Sequence, residues 1–166
     1  MMNRYIRPFS PDDLEDVVQL SLLAWAPVFH SFKQVLGSKI YSLLYPDWEQ
    51  AQSAVVEKIC REHEKTLVWV AESHGTITGF IAYTLNSQEN GQNSTGEVEL
   101  LAVHPEYQNQ GIGTALNHFA LEKMKESGIK LAIVGTGGDS GHAPARRTYE
   151  KAGYVPLPIM RYYQAL

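Results

Sequence analysis

The chain has 166 residues, 44% of them hydrophobic and 19% charged, which is the size and composition of one globular domain able to bury a substantial core. A net charge of -4 with no Lys/Arg block argues against a nucleic-acid surface, because neutralising phosphates needs clustered cations. The opening MMNRYIRPFSPDD is polar from the start and no apolar run nears the roughly 20 residues that span a bilayer, so no signal peptide or membrane segment is expected and the cytoplasm is the default location.

In chain order, Tyr5-Ile6-Arg7 predicts a short strand, and Ser10-Pro11-Asp12-Asp13 a helix start with an acidic first turn ahead of Leu14, Val17, Val18 and Leu22. That helix is expected to reach Trp25. Residues 32–44 and 46–64 read as two more helices, the second opening with Pro46-Asp47 and apolar at Ala51, Ala54, Val55 and Ile59. The second contains the lone Cys60, which excludes an internal disulfide and predicts a buried thiol. Residues 67–71 and 76–85 are β-branched and aromatic and flank Ser73-His74-Gly75, the signature of a hairpin. The polar tract 86–96 reads as an exposed loop.

Residues 97–103 predict the next strand, and 112–125 a helix with Ile112, Ala115, Leu116, Phe119 and Met124 on one face, stopped by Ser127-Gly128. A buried strand over 130–134 follows. The last helix, 144–152, has Pro144 near its first position and Gly153 just past its end, and 154–164 reads as a terminal strand or hairpin interrupted by Pro156 and Pro158. No repeat or linker breaks the order, so a single α/β domain is expected, a mixed sheet with helices on both faces.

The strand-to-helix junction Val103-His104-Pro105-Glu106-Tyr107-Gln108-Asn109-Gln110-Gly111-Ile112-Gly113-Thr114 has the makings of an anion site. First-turn N–H groups of a helix lack intrahelical partners and sit at the positive end of its dipole. Gly111 and Gly113 would let a phosphate lie on the backbone. A Walker loop would need Lys where Thr114 stands, and a dinucleotide fingerprint would need a small residue where Leu116 stands. A plain strand-to-helix turn remains the bland alternative. QNQGIG has the form QxxGxG, which resembles the acyl-CoA pyrophosphate loop of the GNAT superfamily of acetyl-CoA-dependent N-acetyltransferases.

A second stretch, His142-Ala143-Pro144-Ala145-Arg146-Arg147-Thr148-Tyr149-Glu150-Lys151-Ala152-Gly153-Tyr154, is similar to that superfamily's late helix, NxxAxxxYxxxGF. Ala145, Tyr149, Gly153 and Tyr154 match; His142 stands where the family often has Asn. The resemblance implies a mostly antiparallel central sheet. It also implies acetyl-CoA as co-substrate, held by Gln108, Asn109, Gln110, Gly111, Ile112, Gly113 and Thr114, by the strand backbone at Leu101, Ala102 and Val103, and by His142 and Ala145. A backbone N–H of that strand would polarise the thioester carbonyl, freed by a bulge.

Acetyl transfer needs a neutral amine, yet alkyl amines have a pKa of about 10.4, so a base is expected. Glu97 and Glu99, two apart on one strand, are the candidates, Glu97 first by family position; a pair of solvated carboxylates is the alternative. The departing thiolate belongs to a thiol of pKa about 8.5, to which a phenol of about 10 can give a proton. Tyr149 is that phenol by resemblance, with Ala145 one turn earlier leaving it space; a core tyrosine is the alternative.

No metal is expected, since His104 and His142 lack spaced co-ligands; Asp139 in the glycine-rich run before His142 reads as a loop former, with a role for that long loop near the cofactor or acceptor as the alternative. Trp25, Phe29, His30, Phe32, Tyr41, Tyr45 and Trp48 belong either to the core or to a pocket for an apolar or cationic amine. The expected partner is a small-molecule or peptide amine, with a homodimer left open and neither nucleic acid nor membrane involved. The rival reading is a non-catalytic acyl-CoA-binding module, which would need the loop but neither a glutamate nor Tyr149.

Overall fold

A computed structural model describes residues 4–62, 64–86 and 94–166. Its elements are β1 (Arg4–Pro8), α1 (Leu14–Leu44), α2 (Trp48–Arg61), β2 (Thr66–Ser73), β3 (Thr76–Asn86), β4 (Thr95–Val103), α3 (Ile112–Glu126), β5 (Leu131–Val134) and α4 (Ala143–Lys151). The sheet has five strands in the order β1-β2-β3-β4-β5. The first four pair antiparallel and β4 with β5 parallel, so the expected mixed, mostly antiparallel α/β architecture is what forms.

Alternation along the strands divides the core into two layers. Phe80, Ala82, Leu100 and Ala102 pack with Val17 and Leu20 of α1 and Val56 and Cys60 of α2. On the other face Ile81, Tyr83 and Val98 meet Ile112, Leu116, Ala120 and Met124 of α3. Cys60 is 1% exposed, and burial pushes its thiol up to about 11, so it is an inert apolar filler. His74 and Gly75 both take positive φ (51° and 78°), which the two-residue hairpin joining β2 to β3 requires.

One ionic cluster ties the sheet edge to the first helix. The Arg7 guanidinium donates to both carboxylate oxygens of Asp13 (2.7 and 2.9 Å) and to Glu72 on β2 (2.7 Å), while Asp13 also accepts from the Ser10 backbone N–H (2.7 Å). The hydrogen bonds from Arg7, more than the opposing effect of burial, hold the Asp13 carboxyl below its ordinary range.

Several elements differ from expectation. The helix predicted to end near Trp25 runs on past Pro27 to a kink at Gly37 (φ 73°, ψ 161°), beyond which a second helical stretch continues to Leu44, the two together making up α1. Helix α2 begins at Trp48 and stops at Arg61, inside the predicted 46–64. On α3, Ala115 is exposed whereas Asn117 is buried. Most of the predicted 86–96 loop, residues 87–93, lies outside the described residues, and Thr95 and Gly96 already belong to β4. The predicted terminal strand over 154–164 does not form. Pro156 and Pro158 supply no N–H to a ladder, and Val155 and Leu157 stand 91% and 84% exposed.

Candidate functional site

Pairing of β4 with β5 runs from Thr95 opposite Leu131 to Val98 opposite Val134 and goes no further. At that point β4 carries an extra residue. Ala82 faces Leu100 and its neighbour Tyr83 faces Val98, which leaves Glu99 as the inserted one. The bulge switches the following residues between faces, sending Leu100 and Ala102 to the α1 side while Val98 stays on the α3 side. Among the described residues no strand pairs with the β5-side edge of β4 from Glu99 to Val103, and a cavity of ≈ 670 Å³ opens against it.

The floor of this cavity is the start of α3. Asn109 and Gly111 have positive φ (59° and 82°), and Gly111 is the N-cap with no side-chain cap bond. Left-handed residues in close succession turn consecutive N–H groups to one side, and the uncapped first turn of a helix adds its own donors. Gly111, Ile112, Gly113 and Thr114 all line the cavity, as do Gln108 and Asn109. Gln108 donates its side-chain amide to the Val103 carbonyl (3.1 Å) and so clamps the loop to the end of β4. Gln110 is outside the cavity lining and donates to the Glu106 carbonyl (3.2 Å).

Helix α4 supplies the far wall. His142, Ala145 and Tyr149 follow the i, i+3, i+7 spacing of one helical face and all line the cavity, as do Leu101, Ala102 and Val103 opposite them. Tyr149 is 8% exposed. Burial, reinforced by Tyr154, pushes its phenol up to about 12, so it keeps its proton at neutral pH. Ala24, Trp25, Pro27 and Val28 of α1 and Gln52 of α2 close the remaining side.

The two candidate glutamates part company. Glu99 lines the cavity, with Oε1 accepting from the Thr84 hydroxyl (3.3 Å). Glu97 is exposed, lies within the paired stretch opposite Thr84 and Ile133, and is outside the lining.

Three features escaped sequence reasoning. Arg147 and Lys151 bring two positive charges to the cavity; their i, i+4 spacing on a helix already placed by its motif was the available signal. Asp139, read as a loop former, makes a 2.5 Å contact through Oδ1 with His142 Nδ1. Burial works to raise the Asp139 pKa, but hydrogen bonds from Ser31 and His142 outweigh it and hold the carboxyl below the ordinary range.

The aromatic residues of the first half divide as well. Trp25 packs against the core and lines the main cavity. Phe29 stacks on Trp48 (4.3 Å) and Phe32 on Tyr45 (5.4 Å). Phe29, Tyr45 and Trp48 line a second groove of ≈ 650 Å³ that also contains Asp47 and meets the main cavity at Gln52. Among the described residues no group of three His, Cys, Asp or Glu could hold a metal ion, and no helix is long and apolar enough to cross a membrane.

The model of the acetyltransferase (GNAT) family matches residues 35–154. The chain is 29% identical over 118 residues to a mycothiol acetyltransferase of Saccharomonospora viridis, an alignment covering 65% of this chain and 38% of that protein. A mycothiol acetyltransferase of Sanguibacter keddieii is 33% identical over 91 residues, 54% of this chain and 28% of the other. The chain therefore spans well under half the length of these relatives. Its fold is similar to AAC(6')-Iy in complex with the bisubstrate analogue CoA-S-monomethyl-acetylneamine (TM-score 0.67, 17% identity, 99% of each chain). It is similar also to the PaiA N-acetyltransferase of Thermoplasma acidophilum in complex with coenzyme A (TM-score 0.67, 22% identity, 92% of this chain and 89% of that one).

Proposed function

The chain belongs to the acetyltransferase (GNAT) family, and on that premise we propose that it transfers an acetyl group from acetyl-CoA to a primary amine by direct attack within a ternary complex. The observation that carries the reading is the open edge of β4 after Val98, facing Tyr149 across a cavity whose floor is the uncapped start of α3. In this reading the chain is one acetyltransferase domain over its 166 residues.

The pyrophosphate of acetyl-CoA takes the backbone donors from Gly111 to Thr114, with Gln108 and Asn109 shaping the loop and Gln110 bracing it from outside. Arg147 and Lys151 add positive charge for the remaining phosphate. The pantetheine arm runs along the β4 edge at Leu101, Ala102 and Val103, past Ala145, and exchanges its amide hydrogen bonds with an edge that no strand among the described residues occupies. A free backbone N–H of that edge stabilises the oxyanion as the carbonyl carbon becomes tetrahedral. When the C–S bond breaks, Tyr149 offers its proton to the sulfur; burial, reinforced by Tyr154, holds the phenol up to about 12, so the proton is in place at neutral pH.

Glu99, at the bulge and in the cavity, draws a cationic amine to the reacting carbon; Glu97, outside it, has no part. The acceptor enters along the aromatic groove of Phe29, Tyr45 and Trp48, whose ring faces and Asp47 suit a cationic or partly apolar small molecule. Mycothiol acetyltransferases and AAC(6')-Iy bear names of small-molecule chemistry, which favours a small amine over a protein terminus. The test is release of CoA thiol from acetyl-CoA over a panel of amines, with the product weighed by mass spectrometry. Amine-dependent thiol release is expected; tight acetyl-CoA binding with no transfer to any amine would instead mark a binding module.

A further inference from the structure

The segment 135–142 between β5 and α4 reads GTGGDSGH, and much of its construction serves to place one carboxylate. The Asp139 side chain is only 9% exposed. Its Oδ2 accepts from the Gly141 N–H (3.0 Å) and its Oδ1 meets His142 Nδ1 at 2.5 Å. Arg146 Nη1 donates to the carbonyls of Gly137 and Asp139 (2.6 and 2.7 Å), fixing the loop from the next turn of α4. Ser31 of α1 accepts from Gly141 N–H (3.1 Å) and shares a hydrogen bond with Ser140 (3.2 Å). The glycines are there for room. A Cβ on Gly137 would collide with Asp139 and sit 2.5 Å from His142 Nδ1, and one on Gly141 would lie 2.9 Å from Asp139, Ser31 and Val28.

An ionised carboxylate only accepts hydrogen bonds, so the neutral imidazole carries its proton on Nδ1 and presents a bare Nε2. His142 is 16% exposed in its side chain, lies against Phe32 (5.5 Å) and lines the cavity with Tyr149 and Glu99. Glu99 has no comparable support, being held by a single 3.3 Å bond from Thr84.

Resting on the acetyl-transfer reading, we infer that His142 and Asp139 form a base dyad. His142 Nε2 takes the proton of the attacking amine and Asp139 positions the ring. The amine nitrogen forms its bond to the thioester carbon and passes a proton to Nε2. The C–S bond then breaks with its electron pair on sulfur, which receives the Tyr149 proton. The imidazolium loses its proton to solvent and the phenolate regains one, leaving amide and CoA. The charged and titratable groups around the ring are Asp139 on its own loop, Arg146, Arg147, Tyr149 and Lys151 on the helix it caps, Glu99 of β4 across the cavity, and Tyr45 behind Phe32.

The test uses His142→Asn, His142→Ala and Asp139→Asn on the whole chain, with kanamycin, tyramine and an alanyl peptide as amines. His142→Asn installs the residue of the family motif, so it separates a base from a pantetheine contact. The dyad predicts that both His142 variants bind acetyl-CoA within about threefold of wild type, lose about 10²-fold or more in kcat/KM, and lose the low-pH limb of its pH profile. Asp139→Asn should lose about tenfold or more. Wild-type turnover or an unaltered pH limb in His142→Asn overturns the dyad, as does a loss confined to acetyl-CoA affinity. If wild type acetylates none of the amines, the acetyl-transfer reading is what fails, and long-range 15N NMR still reads the dyad. Nδ1-protonated His142 that loses this preference in Asp139→Asn is expected; an Nε2-protonated ring overturns the inference.

Discussion

Val98 and Val134 are the last residues to pair across the parallel junction of β4 and β5. One residue later, at Glu99, β4 bulges. The inserted residue adds local twist to β4 at the point where pairing with β5 stops, and a strand edge is left exposed at the place where α3 begins and α4 passes.

The glycine loop gives the cleanest test of the cofactor site. Gly113 has room for a Cβ within the protein itself, its nearest neighbour being Val103 Cγ2 at 3.5 Å, so Gly113→Val should fold normally. If a phosphate lies on this backbone, calorimetry should show acetyl-CoA binding weakened tenfold or more, about 1.4 kcal/mol. Unchanged affinity would move the pyrophosphate elsewhere. Gly111→Val is a poorer probe, since φ is 82° there and any side chain is strained.

Replacing Tyr149 by Phe keeps the ring and removes the proton. Turnover should fall about 10²-fold with acetyl-CoA affinity intact, and an acyl donor releasing a less basic thiol should suffer less. Because the phenol is pushed up to about 12, no falling limb from Tyr149 should appear in the wild-type rate profile at neutral or mildly alkaline pH. A lower melting temperature with unchanged turnover would make it a packing residue.

Glu99→Gln should raise KM for a cationic amine by about tenfold, ~1.4 kcal/mol, with kcat changed less, and the effect should shrink in high salt. Glu97→Gln should match wild type in both constants. The opposite ranking of the two variants would place the acceptor on the other side of the bulge.

Away from the cavity, Asp13→Asn should destabilise the fold by about 1–3 kcal/mol at neutral pH, because it leaves Arg7 without its bidentate partner (2.7 and 2.9 Å). The folded pKa of Asp13 lies below its ordinary value. Its stabilisation is therefore complete above the unfolded pKa of about 3.9 and lost as pH falls through the folded one. Thermal melts of wild type and variant should converge in acid; a constant gap would exclude the ion pair as the cause.

What the sequence disclosed was local. The QNQGIG turn, the His74-Gly75 hairpin and the run from Ala145 to Gly153 each carry their signal within a dozen residues, and each appears near its expected place. The Glu99 bulge depends on how β3 and β4 register, so Glu97 and Glu99 looked equivalent by spacing. Asp139 and His142 are three apart in a glycine-rich run, where the short 3-10 turn over Ser140–His142 that Asp139 caps has no apolar period to announce it. Their pairing depends on Arg146 from the next turn and Ser31 from α1. The strand or hairpin expected over 154–164 does not form, because Pro156 and Pro158 supply no N–H to a ladder.

Steady-state kinetics with both substrates varied tests the central claim most directly, since the lone Cys60 is buried with its thiol held up to about 11 and is outside the cavity lining. Direct attack by the amine predicts double-reciprocal lines that intersect, and a protein mass unchanged after incubation with acetyl-CoA alone. Parallel lines together with a protein that gains one acetyl group before any amine is added would contradict it.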